Sequence, residues 1–185
     1  MSKAPSIKVG DVFPTNQFGT VEVVFYANAK EIMVRFQDTG YLCKVNAPNL
    51  VAGKVRDKLV PSVCGVGYLD VHGDQKNYPR EYQLWQNMIH RCYNPKAPNY
   101  KYYGERGVFV DKRWHSFERF VDDLSLLPGF RQWKRGEDYQ LDSDMMSTST
   151  IFAKHYSLHT CMFLPRNTNN LERAIRKGRK VEGAE

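Results

Sequence analysis

The hydrophobic period of this chain changes part-way along, and that change limits what it can fold into. Between residues 20 and 45 three short runs, Thr20–Tyr26, Glu31–Phe36 and Tyr41–Val45, are β-branched or aromatic and partly alternate. That is the pattern of short strands packing one face. Asn28-Ala29-Lys30 and Gln37-Asp38-Thr39-Gly40 separate the runs, with residue types that tolerate turn geometry. From Pro79 the spacing becomes helical. Trp85, Met88, Ile89 and Cys92 fall at i, i+3, i+4 and i+7, which makes one buried stripe. A proline suits the first turn of a helix, and Asn94-Pro95 ends it. Strands first and helices later make an α+β chain of two parts.

Lys8-Val9-Gly10-Asp11 reads as a turn opening the first part. Meandering strands joined by short turns predict a small SH3-like or Tudor-like β-barrel. Residues 61–78 are rich in Gly and turn formers and hold one further strand. The reading is therefore a β module over residues 1–66, a linker over 67–78 and a second domain over 79–180. In that second domain Val108-Phe109-Val110 reads as a strand. A second helix follows, with Ser116 as N-cap and Phe117, Phe120, Val121 and Leu124 on one face. Leu127-Pro128-Gly129 stops it, and residues 171–180 form a basic terminal helix.

The 185 residues suffice for one or two small domains, and 42% hydrophobic residues suffice for a core. No run is apolar enough to span a membrane. The N-terminal residues lack an apolar signal-like region, so the expected location is the cytoplasm. The net charge of +7 points to a polyanionic partner. Cys43, Cys64, Cys92 and Cys161 lie far apart with no Cys-x-x-Cys pair. No structural zinc site is expected, and the thiols read as small buried apolar groups.

Two stretches carry residues suited to chemistry. From Arg80 to Trp114, cations alternate with aromatics: Arg80, His90, Arg91, Lys96, Lys101, Arg106, Lys112 and Arg113, with Tyr102 and Tyr103 among them. Cations neutralise phosphates and release counterions, and tyrosines contact bases or backbone. Eight such contacts would lower affinity by roughly 10³–10⁵ between 50 and 200 mM salt. The plainer alternative makes Tyr102, Tyr103 and Trp114 core aromatics and the cations ordinary solvated surface. The second stretch, Tyr139 to Asn170, reads as strand, hairpin, a strand ending in Cys161-Met162-Phe163-Leu164-Pro165, and a helix entry with Asn167, Asn169 and Asn170. Strand alternation puts Asp142 and Asp144 on one face with Ser143 pointing away. Two carboxylates suit Mg²⁺, or they form a solvent-facing acidic edge. His155 and His159 could act as base or ligand, or serve structure alone. The asparagines could orient a base or cap the last helix.

These stretches resemble the phage-encoded HNH, or His-Me finger, endonuclease-like family. The likeness is carried by three blocks between about residues 80 and 170. They are Tyr82, Trp85, Met88, Arg91 to Pro95; Tyr102 to Val110 with Arg113, Trp114, Ser116 and Phe117; and Leu141 to Asp144 with Tyr156, Ser157 and Thr160 to Pro165. Phe36 to Tyr41 and Pro61 to Tyr68 are similar to an accessory module preceding this domain in some phage proteins. The resemblance implies a ββα-metal fold, DNA as ligand and phosphodiester hydrolysis in active members. Active members pair Asp with a general-base His on the first strand and use an Asn near the second. Here Asp142 matches the Asp, Ser143 occupies the His position and Thr160 stands about where the Asn would be. A serine hydroxyl does not titrate near neutral pH, and losing a positioned base costs about 10²–10⁴ in rate.

The expectation is a phage DNA-binding protein built on a degenerate His-Me finger, acting in the cytoplasm of the infected bacterium. Its DNA contacts would be the residues named from Arg80 to Arg113, with Arg173, Arg176 and Lys177 of the terminal helix. One alternative is an active Mg²⁺-dependent nicking enzyme. There Asp142, Asp144 and His159 would be catalytic, with Asp142 and His159 holding the metal. A second alternative is an effector that binds a host protein through Tyr26, Phe36 and Tyr41.

Overall fold

The computed structural model describes residues 6–70, 75–143 and 154–168. The protein is mixed α+β, with a four-stranded antiparallel sheet and several helices. It divides into two compact units, residues 1–62 with 68–72 and residues 63–67 with 73–185. Among the described residues no helix is long and apolar enough to cross a membrane.

The first unit is a meander of β1 (Val12–Pro14), β2 (Thr20–Asn28), β3 (Glu31–Phe36) and β4 (Leu42–Val45), in that order. β1 and β4 are its edges, and the sheet forms no closed barrel among the described residues. Val21 opposes Phe36, Val23 opposes Val34 and Ile32 opposes Val45, so one face of each pair reaches the core. A register shift between Val23 and Phe25 breaks the alternation, and Phe25 and Tyr26 are both exposed. Bulges of this kind re-aim side chains. Phe36 and Tyr41 stack within the core instead, ring centroids 6.0 Å apart, which removes them as surface contacts. The short helix α1 (Ala47–Val51) follows from local chemistry. Asn46 Oδ1 accepts from the Asn49 N–H at 2.9 Å and Pro48 sits in the first turn. Its single buried residue, Leu50, closes the core.

The second unit is organised by α2 (Pro79–Tyr93), whose stripe Trp85, Met88, Ile89 and Cys92 is buried. The turn Val63–Gly67 is closed by an isolated bridge. A Cβ on Gly67 would lie 2.8 Å from the Trp85 ring, so the turn packs against α2. β5 (Phe109–Val110) leads into a 3-10 turn over Lys112–His115 and then α3 (Phe117–Leu124). Ser116 caps α3, its Oγ accepting from the Arg119 N–H at 3.0 Å. Trp85 packs on Phe117 at 5.4 Å, and its Nε1 donates to the Trp114 carbonyl at 2.7 Å. A short helix not legible in the spacing, α4 (Phe130–Lys134), places Trp133 and Phe130 against Phe163. β6 (Tyr139–Asp142) pairs antiparallel with β8 (Met162–Pro165), while β7 (His155–Tyr156) pairs parallel with β5.

Two 3-10 turns, Tyr100–Tyr102 and Gly104–Arg106, fold back on the end of α2. The absence of a side chain at Gly104 permits that approach. A Cβ there would sit 2.2 Å from the Cys92 carbonyl oxygen and 2.3 Å from the Tyr100 ring. Gly104→Ala is therefore expected to cost about 2–3 kcal/mol, read as a lower urea midpoint with unchanged slope.

Candidate nucleic-acid interface

The polar face of α2 lies opposite its buried stripe. With the segment that follows, it borders an open concavity of about 590 Å³ lined by Gln86, Asn87, His90, Arg91, Asn94 and Lys96, together with residues 97–99. Three of the sequence-predicted contacts, His90, Arg91 and Lys96, are brought together here. Asn94 sets the chemistry. Its Oδ1 accepts from the Lys96 N–H at 3.0 Å, which turns Nδ2 toward His90 Nδ1 at 3.1 Å. An amide NH₂ only donates, so Nδ1 accepts and the neutral ring carries its proton on Nε2. The amides of the concavity were not singled out by the sequence reading. Their signal was present in the period, since Gln86, Asn87, His90, Arg91 and Asn94 form one helical face.

Arg91 lies between two tyrosines. Its guanidinium sits 5.3 Å from the Tyr103 ring and 5.6 Å from the Tyr156 ring, and NH1 donates to the Tyr156 hydroxyl at 3.2 Å. Among the described residues no carboxylate forms an ion pair with it. Burial pushes the Tyr156 phenol well above its ordinary range, with the Arg91 charge opposing, so it stays neutral and Arg91 keeps a full charge. Tyr102 is 53% exposed and flanked by cations: Lys101 Nζ is 4.9 Å and the Arg106 guanidinium 5.9 Å from its ring. Contacts of this kind contribute about 0.5–1 kcal/mol at exposed sites and hold the cations near an available π-face.

Other predicted contacts are committed internally. Arg80 donates to the Trp133 and Lys134 carbonyls at 2.9 and 3.1 Å and lies over the Trp133 ring. Arg113 grips Asp123 with Nε and NH2 at 2.8 and 2.9 Å. Trp114 Nε1 donates to the same carboxylate at 2.9 Å. The Arg113 hydrogen bonds, assisted by Trp114 and opposed by burial, hold Asp123 below the usual carboxylate range. Trp114 is core, whereas Lys112 is exposed.

In the stretch from Tyr139 to Asn170, Asp142 opposes Met162. The strand ends there, so alternation does not continue: Asp142 is 6% and Ser143 2% exposed. Asp142 is thus no solvent-facing edge. Thr160 ties the following turn together. Its Oγ1 donates to the His155 carbonyl at 2.7 Å and accepts from the Ser157 N–H at 3.0 Å. His155 stacks on Phe109 at 5.0 Å, and His159 is exposed within the turn. Asn167 Oδ1 accepts from the Thr168 N–H at 2.8 Å. Asp144, Asn169, Asn170, Arg173, Arg176 and Lys177 lie outside the described residues. Among the described residues no three His, Cys, Asp or Glu side chains group where a metal could sit. All four cysteines are free, and burial pushes the Cys92 and Cys161 thiols up to about 12, which leaves them inert.

No family model, curated protein or solved structure matches the chain.

The end of α2 is anchored to β5 through Tyr93. Its hydroxyl accepts from the Val110 N–H at 3.0 Å and donates to the Val110 carbonyl at 3.2 Å. His115 Nε2 stands 3.1 Å from that carbonyl oxygen. Burial lowers the His115 pKa below 6.5 despite the carbonyl and Asp111. The fold therefore prefers the neutral ring. Its contribution is present above pH 6.5 and is lost as pH falls through the folded-state value. Denaturation at pH 7.5 and 5.5 should show a loss of stability on acidification that is smaller in His115→Gln.

Proposed function

We propose that the protein binds DNA through its second unit, as a phage-type protein on a degenerate His-Me-finger-like scaffold. The observation that carries this reading is the concavity at the end of α2, where Arg91 lies beside His90 and Lys96 with no carboxylate ion-pair partner among the described residues. Phosphate oxygens are acceptors only. The concavity supplies a guanidinium, an ammonium, an imidazole and amide donors, a set matched to phosphate positioning. Lys101 and Arg106 around exposed Tyr102 extend the same chemistry, with a ring on which a base can stack. Arg113 belongs to the scaffold in this reading because the buried Asp123 carboxylate neutralises it, and Arg80 because two carbonyls and the Trp133 ring hold it. The SH3-like module would be an accessory.

Cleavage is the second reading, favoured by the pairing that puts Asp142 opposite Met162, three residues beyond His159. Asp142 and His159 would then hold Mg²⁺, with Asp144 beyond the described residues. The buried Asp142 and the exposed His159 do not by themselves make a ligand set, so no hydrolytic step is derived.

Fluorescence anisotropy of a labelled duplex against salt tests the binding reading. Engagement of Arg91, Lys96, Lys101 and Arg106 would give a slope of log affinity on log salt of about −3.6, at about 0.9 per phosphate neutralised. Lys96→Ala and Lys101→Ala should each reduce its magnitude by about 1. Absent or salt-independent binding sinks the proposal. Plasmid nicking with Mg²⁺ that disappears in Asp142→Asn would replace it with the enzymatic reading.

A further inference from the structure

The first unit carries a cationic groove that the reading above does not use. It is an open concavity of about 660 Å³ between edge strand β4 and the segment after α1. Lys30, Lys44, Lys54, Arg56 and Lys58 line it, and no acidic residue does. The wall opposite β4 has a simple cause. Burial alternates along it: Val55 and Asp57 are buried, and Lys54 and Arg56 are exposed. Asp57 is fixed inside by the Thr39 hydroxyl at 2.5 Å and the Leu59 N–H at 2.9 Å. An extended chain with that period puts Lys54 and Arg56 on one face, about 6.6 Å apart along it. On the other wall, the outward row Phe25–Met33–Lys44 crosses three strands and brings Lys44 to the rim. Only Lys44 has an ion-pair partner among the described residues, Glu31 at 2.7 Å. That pair is about half exposed on both sides and is easily exchanged for another anion.

We infer that this groove is a second nucleic-acid site, which takes the phosphodiester backbone without reading sequence. The groove supplies cations and small apolar surface, and its aromatic, Tyr41, is buried in the core. It therefore offers no stacking platform for bases. Exposed lysines gain little from isolated carboxylates, because each pair is screened and pays side-chain entropy. A nucleic acid differs: duplex DNA carries one charge per about 1.7 Å and a condensed counterion layer, so each cation that docks releases ions. The charge of the groove thus favours a polyphosphate over an acidic peptide. The inference concerns the first unit alone and stands whether or not the α2 concavity binds.

Lysine acetylation of the full chain, read by mass spectrometry, tests it with a short mixed-sequence duplex and with oligo(dT) of the same length. Lys30, Lys54 and Lys58 should react at least about threefold more slowly with one or both, which also tells whether duplex or single strand is taken. Added salt should restore their reactivity. The double variant Lys54→Gln/Arg56→Gln, with an unchanged melting temperature, should lower the magnitude of the salt slope by about 2. Unchanged labelling of Lys30, Lys54 and Lys58 alongside protection of Lys96 and Lys101 overturns the inference while leaving the α2 site standing. Protection of the first set alone does the reverse. Equal protection by poly-glutamate would make the groove an acidic-peptide site and would also overturn it.

Discussion

Asp123 is 2% exposed and holds three donors from two consecutive residues: Nε and NH2 of Arg113 and the indole N–H of Trp114. A carboxylate taken out of water is costly unless its lone pairs are filled, and here they are. The same Trp114 gives its carbonyl to Trp85 on α2 and packs edge-on against Phe120 on α3. One buried charge thereby fixes α3, the preceding 3-10 turn and α2 as a set. The polar face of α2 inherits that rigidity, because the buried stripe on its other side cannot turn without breaking the Trp85 bond. At its far end Tyr93 clamps Val110, so the start of the 94–108 segment and β5 at its finish are both tied to the helix. The rows of cations on that segment depend on a salt bridge that binds nothing itself.

That dependence explains which parts of the fold were legible. The period of 3.6 residues with Pro79 and Ser116 gave α2 and α3 closely, because burial and capping agree there. The strands from 20 to 45 were readable for the same reason. β1 is too short to show a period, and α1 and α4 are single turns made by an Asn46 cap and a left-handed Gly129. Such elements come from local hydrogen bonding and from what they cover, not from patterning. The parallel contact of β5 with β7 joins residues 46 positions apart, and no local signal announces it.

The cations show the same division. A sequence presents Arg80, Arg91 and Arg113 as equivalent. Their fates are set by neighbours that folding supplies: two carbonyls and an indole for Arg80, a carboxylate for Arg113, and the Asn87 carbonyl with two phenols for Arg91. A guanidinium has five donors in a rigid fork. What separates the three is charge: Asp123 neutralises Arg113, while the acceptors on Arg80 and Arg91 are uncharged.

The segment from Tyr139 to Asn170 shows how burial limits the chemistry a side chain can do. Ser143, the position that the resemblance would give to a general base, is 2% exposed. An imidazole placed there would overpack a filled site, at a cost of about 1–3 kcal/mol. Burial would also favour its neutral form. A neutral ring could accept a proton only from a nucleophile that reached it, and the surrounding burial limits that access. Thr160 spends its hydroxyl on the His155 carbonyl and the Ser157 N–H. Placing His at 143 or Asn at 160 would therefore disturb the packing and the turn.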